Sequence, residues 1–188
     1  MADEIVPDDP ALRVGRRERV LAQMAAEDLD VLVLGRQANV RYVTGAPQLW
    51  VAGTRPFAPI CVLVRATGDI HLNSSWDEGI PEEIPHENLY GFAWNPMTLV
   101  GIMSKMKGAA TARRVGTDAL TPMFAKLLPM VFPNAELVDA EPAMRAARRV
   151  KTPEEITALQ HALAVAKQGL AKGAAEVRAG TTEKHLAG

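Results

Sequence analysis

Apolar and polar positions alternate along this chain in two rhythms. From Ala11 to Glu27 the apolar residues Leu12, Val20, Leu21, Met24 and Ala25 recur at helical spacing. Arg13, Arg16, Arg17 and Arg19 fill the other face, so the spacing predicts an amphipathic helix. Val31-Leu-Val-Leu34 follows as a short apolar run closed by Gly35, the pattern of a buried strand. Ile60–Val64 and Asp69–Leu72 are two more runs with Thr67-Gly68 between them, which predicts a β-hairpin. Asn88–Phe92, Arg114–Gly116 and Glu136–Asp139 read as further strands. Met97–Met106, Thr121–Leu128 and Glu141–Arg149 read as helices, the last turning Met144, Ala147 and Val150 inward. Thr121-Pro122 suits an N-cap followed by a first helical residue. Strands alternating with helices give an α/β class, and the hairpin makes the sheet mixed.

A different pattern begins at Lys151-Thr-Pro-Glu-Glu-Ile156. Thr152 as N-cap, Pro153 at the first helical position and Glu155 three residues after the cap form a capping box. Glu154 and Glu155 also suit the positive end of the helix dipole. Ile156, Leu159, Leu163, Ala166, Leu170, Ala174 and Val177 then recur every three or four residues, with Gly180 as the expected terminator. Thr181-Thr182-Glu183 reads as the cap of another helix. The expected division is a domain over 1–150 and the opening of a second over 151–188.

Composition narrows the function classes. Apolar residues make up 48% of the 188, and 21 basic against 22 acidic side chains leave a formal charge of −1. Such a balance offers no electrostatic case for nucleic acid or an anionic membrane as partner. The apolar runs are too short to span a bilayer. The acidic start, Met1 to Pro10, reads as a loose arm and not as a signal peptide. With Cys61 as the single cysteine, no intrachain disulfide is possible, and a cytoplasmic setting is expected.

Candidate chemistry is sparse. Cys61 lies in an apolar strand and reads as a buried thiol. His71, His86 and His161 have no partner ligands at metal spacing and read as surface or hydrogen-bonded histidines. Arg145, Arg148, Arg149 and Lys151 cluster where a helix C-terminus favours cations, in a solvated or interdomain salt-bridging role. Gly35, Gly45 and Gly53 do not form a dinucleotide fingerprint. Thr44 to Pro59 is loop-like, rich in glycine and proline, and carries Trp50, Arg55 and Phe57. Trp and Arg are frequent interface anchors; the alternative is that Trp50 and Phe57 pack on their own sheet and Arg55 pairs locally. Asn73-Ser-Ser-Trp76 with Trp94-Asn-Pro96 forms a second stretch of this kind.

Asn39-Val-Arg-Tyr-Val-Thr-Gly45, Lys151–Ile156 and Arg178-Ala-Gly-Thr-Thr-Glu183 occur in order, with Val115-Gly-Thr-Asp118 and Leu137-Val-Asp-Ala140 between them. This set resembles the N-terminal half of the creatinase, prolidase and aminopeptidase P family, from about Arg16 onward. The resemblance implies a mixed α/β N-terminal domain followed by the start of a catalytic "pita-bread" domain. It implies that the parent is a cytoplasmic dinuclear metallopeptidase of the Xaa-Pro aminopeptidase or prolidase type, with two divalent ions (Mn, Co or Zn). Their two Asp, one His and two Glu ligands would lie beyond Gly188, as would the catalytic His of a creatinase-like C–N hydrolase. This chain is therefore expected to hold no catalytic or metal-ligating residue and to be inactive alone. The resemblance further implies a homodimer, a catalytic domain packed on the Ile156–Val177 helix, and substrate contact in trans by Trp50, Arg55 and Phe57. The alternative is a free-standing, non-enzymatic interaction module whose apolar helix face pairs with another chain.

Overall fold

A computed structural model describes residues 10–46, 59–91, 93, 95–118 and 120–186. They contain, in order, α1 (Pro10–Ala26), β1 (Val31–Leu34), α2 (Gln37–Thr44), β2 (Cys61–Val64), β3 (Ile70–Asn73), a 3-10 turn (His86–Asn88) and β4 (Leu89–Tyr90). Then come α3 (Pro96–Met103), β5 (Arg114–Thr117), α4 (Pro122–Val131), β6 (Glu136–Asp139), α5 (Glu141–Arg149), α6 (Pro153–Glu176) and α7 (Glu183–Leu186). Two compact units result: Arg13–Val150, and a second that joins the beginning of α1, through Leu12, to the segment starting at Lys151.

The first unit is built on a six-stranded sheet of order β4-β3-β2-β1-β5-β6. β1 pairs antiparallel with β2 and parallel with β5, β2 and β3 form the antiparallel hairpin, and β6 adds parallel to β5. β4 closes the other edge, parallel to β3. The sheet is therefore mixed, as the hairpin in the sequence requires.

All four residues of β1 and of β2 are buried, because helices cover both faces. On one face Leu32, Leu34, Cys61, Leu63, Ile70 and Leu72 pack with Val20 and Met24 of α1, Val40 and Val43 of α2, and Met144 and Ala147 of α5. On the other, Val31, Val33, Val62, Val64 and Val115 pack with Leu99 and Met103 of α3 and Phe124 and Leu128 of α4. The period of two along each strand separates the two cores.

Several expectations change. Helix α2 was not evident in the sequence: it is short, and its N-cap, Arg36, makes no side-chain cap bond. Arg13 does not face solvent. It is buried, and its guanidinium grips Glu83 through Nε to Oε1 at 2.9 Å and Nη2 to Oε2 at 3.0 Å. Arg16 lies over the Tyr42 ring, 5.1 Å from its centroid. Ala25 is exposed, and so is Val150 at 57%, because α5 has ended one residue earlier. α4 runs past the expected Leu128 to Val131 and contains Pro129.

The Arg13–Glu83 fork has a pH signature. The Arg13 hydrogen bonds hold the Glu83 carboxyl below its ordinary 4.5. A depressed folded-state value adds stability at pH above 4.5, lost as the pH falls through the folded value. Glu83→Gln is therefore expected to lower stability at neutral pH and to flatten the acid limb of a stability-versus-pH curve. An acid limb identical to wild type would contradict this assignment.

In the second unit the capping box of α6 is present. The Thr152 hydroxyl accepts from Glu155 N at 3.2 Å, and Glu155 Oε2 accepts from Thr152 N at 3.0 Å. α6 ends at Glu176, short of Gly180, which instead sits at φ +91° in the turn that follows. The Thr182 hydroxyl accepts from His185 N and caps α7. Ile156, Leu159, Leu163, Val165 and Leu170 are exposed, Leu170 by 74%.

Candidate functional site

β1, β5 and β6 run parallel, so their carboxyl ends open on one edge of the sheet. In open α/β sheets that edge is where sites are built. Here it holds a buried polar knot. Asp118 follows β5 and is only 6% exposed. One of its carboxylate oxygens accepts from Gly35 N at 2.7 Å and the other from the Asn39 side-chain amide at 2.8 Å. Arg36 N also donates to it, at 3.2 Å. Burial pushes the Asp118 carboxyl above its ordinary range, against the pull of the Gly35, Asn39 and Arg36 donors.

The knot continues into α5. Arg148 Nη1 donates to Asn39 Oδ1, and Nη2 donates to Glu141 Oε1 at 2.8 Å. Glu141 Oε2 lies 3.4 Å from the Asn39 amide nitrogen and 3.8 Å from Arg36 Nη1. The start of α5 is fastened by Asp139 Oδ1, which accepts from Glu141 N at 2.8 Å. One turn along α2, the Tyr42 hydroxyl donates to Ala147 O at 3.1 Å. Asn39 can serve both sides because its amide carries an acceptor and two donors.

The same edge holds the residues that flank the stretch singled out in the sequence. α2 ends on Gly45 at φ +73°, whose N–H returns to Arg41 O. The Thr44 hydroxyl donates to Val40 O and accepts from Ala46 N. At the far flank, the Tyr90 hydroxyl donates to Ile60 O at 3.1 Å, and Ile60 N donates to Leu34 O. Trp50, Arg55 and Phe57 themselves lie outside the described residues, as does Trp94.

The remaining candidates are scattered. Cys61 is fully buried in β2, and burial pushes its thiol far above the ordinary range, so it is no nucleophile in this setting. His71 is half-buried in β3, its Nε2 is buried without a partner, and burial lowers its pKa while Asp69 pulls the other way. His86 is exposed and pairs with Asp77 at 2.8 Å, and that hydrogen bond raises its pKa. Arg148 is not simply solvated, since it is part of the knot. At the opposite end of the sheet, a surface cavity of about 420 Å³ is lined by Asp30, Arg65, Thr111 and Arg113 among others. The Asp30 carboxylate there accepts from Arg113 N and Arg65 Nη2, both at 2.8 Å.

Among the described residues, no group of three or more His, Cys, Asp or Glu side chains is placed to hold a metal ion. The knot itself has two carboxylates, already committed to Asn39, Arg148 and backbone donors, and no imidazole. These residues do not fit a two-metal centre, which needs several carboxylates around a shared water. No helix among them is long and apolar enough to cross a membrane.

Two residues of the knot lie within the sequence motifs and a third borders one. Asn39 opens the first motif, Asp118 closes the second, and Glu141 directly follows the third. A family model described as the creatinase/prolidase N-terminal domain matches residues 16–150. The chain belongs to this family. Solved structures repeat the creatinase/prolidase N-terminal fold. The prolidase of Pyrococcus horikoshii OT3 matches with a TM-score of 0.61 at 16% identity, over 91% of this chain and 45% of its own. The Xaa-Pro dipeptidase of Bacillus anthracis matches at 0.64 and 15%, over 93% of this chain and 46% of its own. A proline dipeptidase of Streptococcus pneumoniae TIGR4 matches at 0.53 and 21%, over 72% of this chain and 98% of the solved chain. The chain thus spans less than half the length of the first two. In the sequence, a signal for the knot lies in polar residues just behind two strand ends, Asp118 after β5 and Glu141 after β6, whereas Asn39 stands five residues past β1.

Proposed function

We propose that this chain is the N-terminal domain, to residue 150, and the opening helices, 151–188, of a longer cytoplasmic peptidase acting on Xaa-Pro bonds. The observation that carries this reading is the family match over 16–150, in a chain that spans 45% of a matched prolidase and 46% of a matched Xaa-Pro dipeptidase. The two divalent ions (Mn, Co or Zn) belong to the domain that follows, and no step of the reaction is assigned to the present residues. Their part is to carry that domain, to form a homodimer and to restrict access to substrate. The exposed face Ile156, Leu159, Leu163 and Leu170 supports the first role, since so long an apolar stripe requires cover.

For the last role, Trp50, Arg55 and Phe57 touch substrate bound in the partner subunit, in a stretch whose flanking residues Gly45 and Ile60 are fastened to the sheet edge. In the longer protein, Arg55→Ala is expected to raise KM for an Xaa-Pro substrate about tenfold, the loss of one charge-assisted hydrogen bond. Unchanged turnover and KM would discard this role. The same apolar stripe supports a second reading, a free-standing module that pairs α6 with another chain. Turnover by the longer native protein would discard it.

A further inference from the structure

We infer that Asn39 and Arg148 are positioning residues, which lock the first turn of α2 to the last turn of α5 as one body. The observation is the way a single amide joins two elements 109 residues apart. The Asn39 oxygen receives Arg148, while its nitrogen donates to Asp118, which also holds Gly35 and Arg36 at the entry to α2. Arg148 divides its fork between Asn39 and Glu141. Tyr42 repeats the link one turn further along α2, on the carbonyl of the residue before Arg148.

Charge explains why both members are needed. Without Arg148, Asp118 and Glu141 would face the Asn39 amide with only the half-exposed Arg36 to balance them. Without Asn39, Arg148 would keep Glu141 and lose α2. The two chain exits beyond the lock are Ala46, after the Gly45 cap, and Val150, which leads into the capping box at Thr152. The lock therefore fixes the α2 exit and the α5 exit to the same sheet edge. Its consequence for turnover rests on the peptidase reading above.

Hydrogen exchange on the chain tests the lock itself. In Arg148→Met, amides of 37–46 and 144–150 are expected to exchange at least tenfold faster together, while the β2–β3 hairpin keeps its rate. Arg148→Lys, which keeps the charge without the fork, gives the same pattern more weakly and serves if the Met variant does not fold. Asn39→Ala combined with Arg148→Met is expected to accelerate exchange by less than the two separate effects combined, because both changes open the same Asn39–Arg148 link. Acceleration confined to 144–150, or additive effects of the two changes, overturns the inference. In the longer protein, Arg148→Lys raises KM for an Xaa-Pro substrate at least fivefold with kcat within twofold. A fall in kcat at constant KM also overturns it. A wild-type protein that turns over no such substrate defeats the peptidase reading, and the exchange pattern still decides the lock.

Discussion

Asp118→Ala is expected to cost the Arg13–Val150 unit about 3 kcal/mol. The carboxylate is the shared acceptor for Gly35 N, Arg36 N and the Asn39 amide, and it is buried. Alanine also removes the desolvation cost that pushes the Asp118 carboxyl upward. Two of the donors it leaves behind, Gly35 N and the Asn39 amide, belong to buried residues, however, and a buried donor without an acceptor costs about 1–3 kcal/mol. Asp118→Asn keeps one acceptor oxygen but turns an NH2 toward a donor, so it should fall between wild type and alanine. Denaturant unfolding measures both. A loss below about 1 kcal/mol for alanine would mean that water or a rearranged backbone replaces the knot.

Gly116→Ala is expected to cost about 2 kcal/mol, within the usual range for forcing atoms into a packed core. Gly116 lies in β5 between Leu32 of β1 and Val138 of β6. A Cβ there would stand 2.8 Å from Leu32 Cδ2, 3.1 Å from Ala140 Cβ and 3.2 Å from Leu29 Cδ1. All three neighbours are buried, so none can swing away. Gly101 in α3 is the control, because nothing lies within 4 Å of a Cβ built there. Gly101→Ala should gain about 0.4–1 kcal/mol from the stiffer unfolded chain. Opposite signs at the two sites are the expected result. A gain at Gly116 would show that the layers around β5 are looser than their packing distances imply.

What the sequence conveyed, and what it withheld, follows from the range of the forces involved. The apolar runs at 31–34 and 61–64 are strands buried on both faces, and their pattern is local. The capping box at Thr152 is equally local and forms as the residues require. Arg13 is different. Its helical face reads as solvent-facing until Glu83, 70 residues later, supplies a carboxylate to bury it. Helix α2 was hidden because eight residues with an uncapped start carry little periodic signal, and its anchor, Asp118, lies 79 residues beyond Asn39. The motifs hold Asn39 and Asp118, and nothing local in them shows that the two touch. Gly116 gave its reason only in three dimensions, where the missing Cβ makes room for Leu32.

The central claim is that this domain supports a peptidase reaction whose chemistry belongs to a further domain. One assay tests it most directly: hydrolysis of an Xaa-Pro dipeptide, with Mn2+ supplied, by the 188-residue chain and by the longer protein side by side. The account predicts turnover by the longer protein and none by the chain alone. Metal-dependent turnover by the 188-residue chain would contradict it.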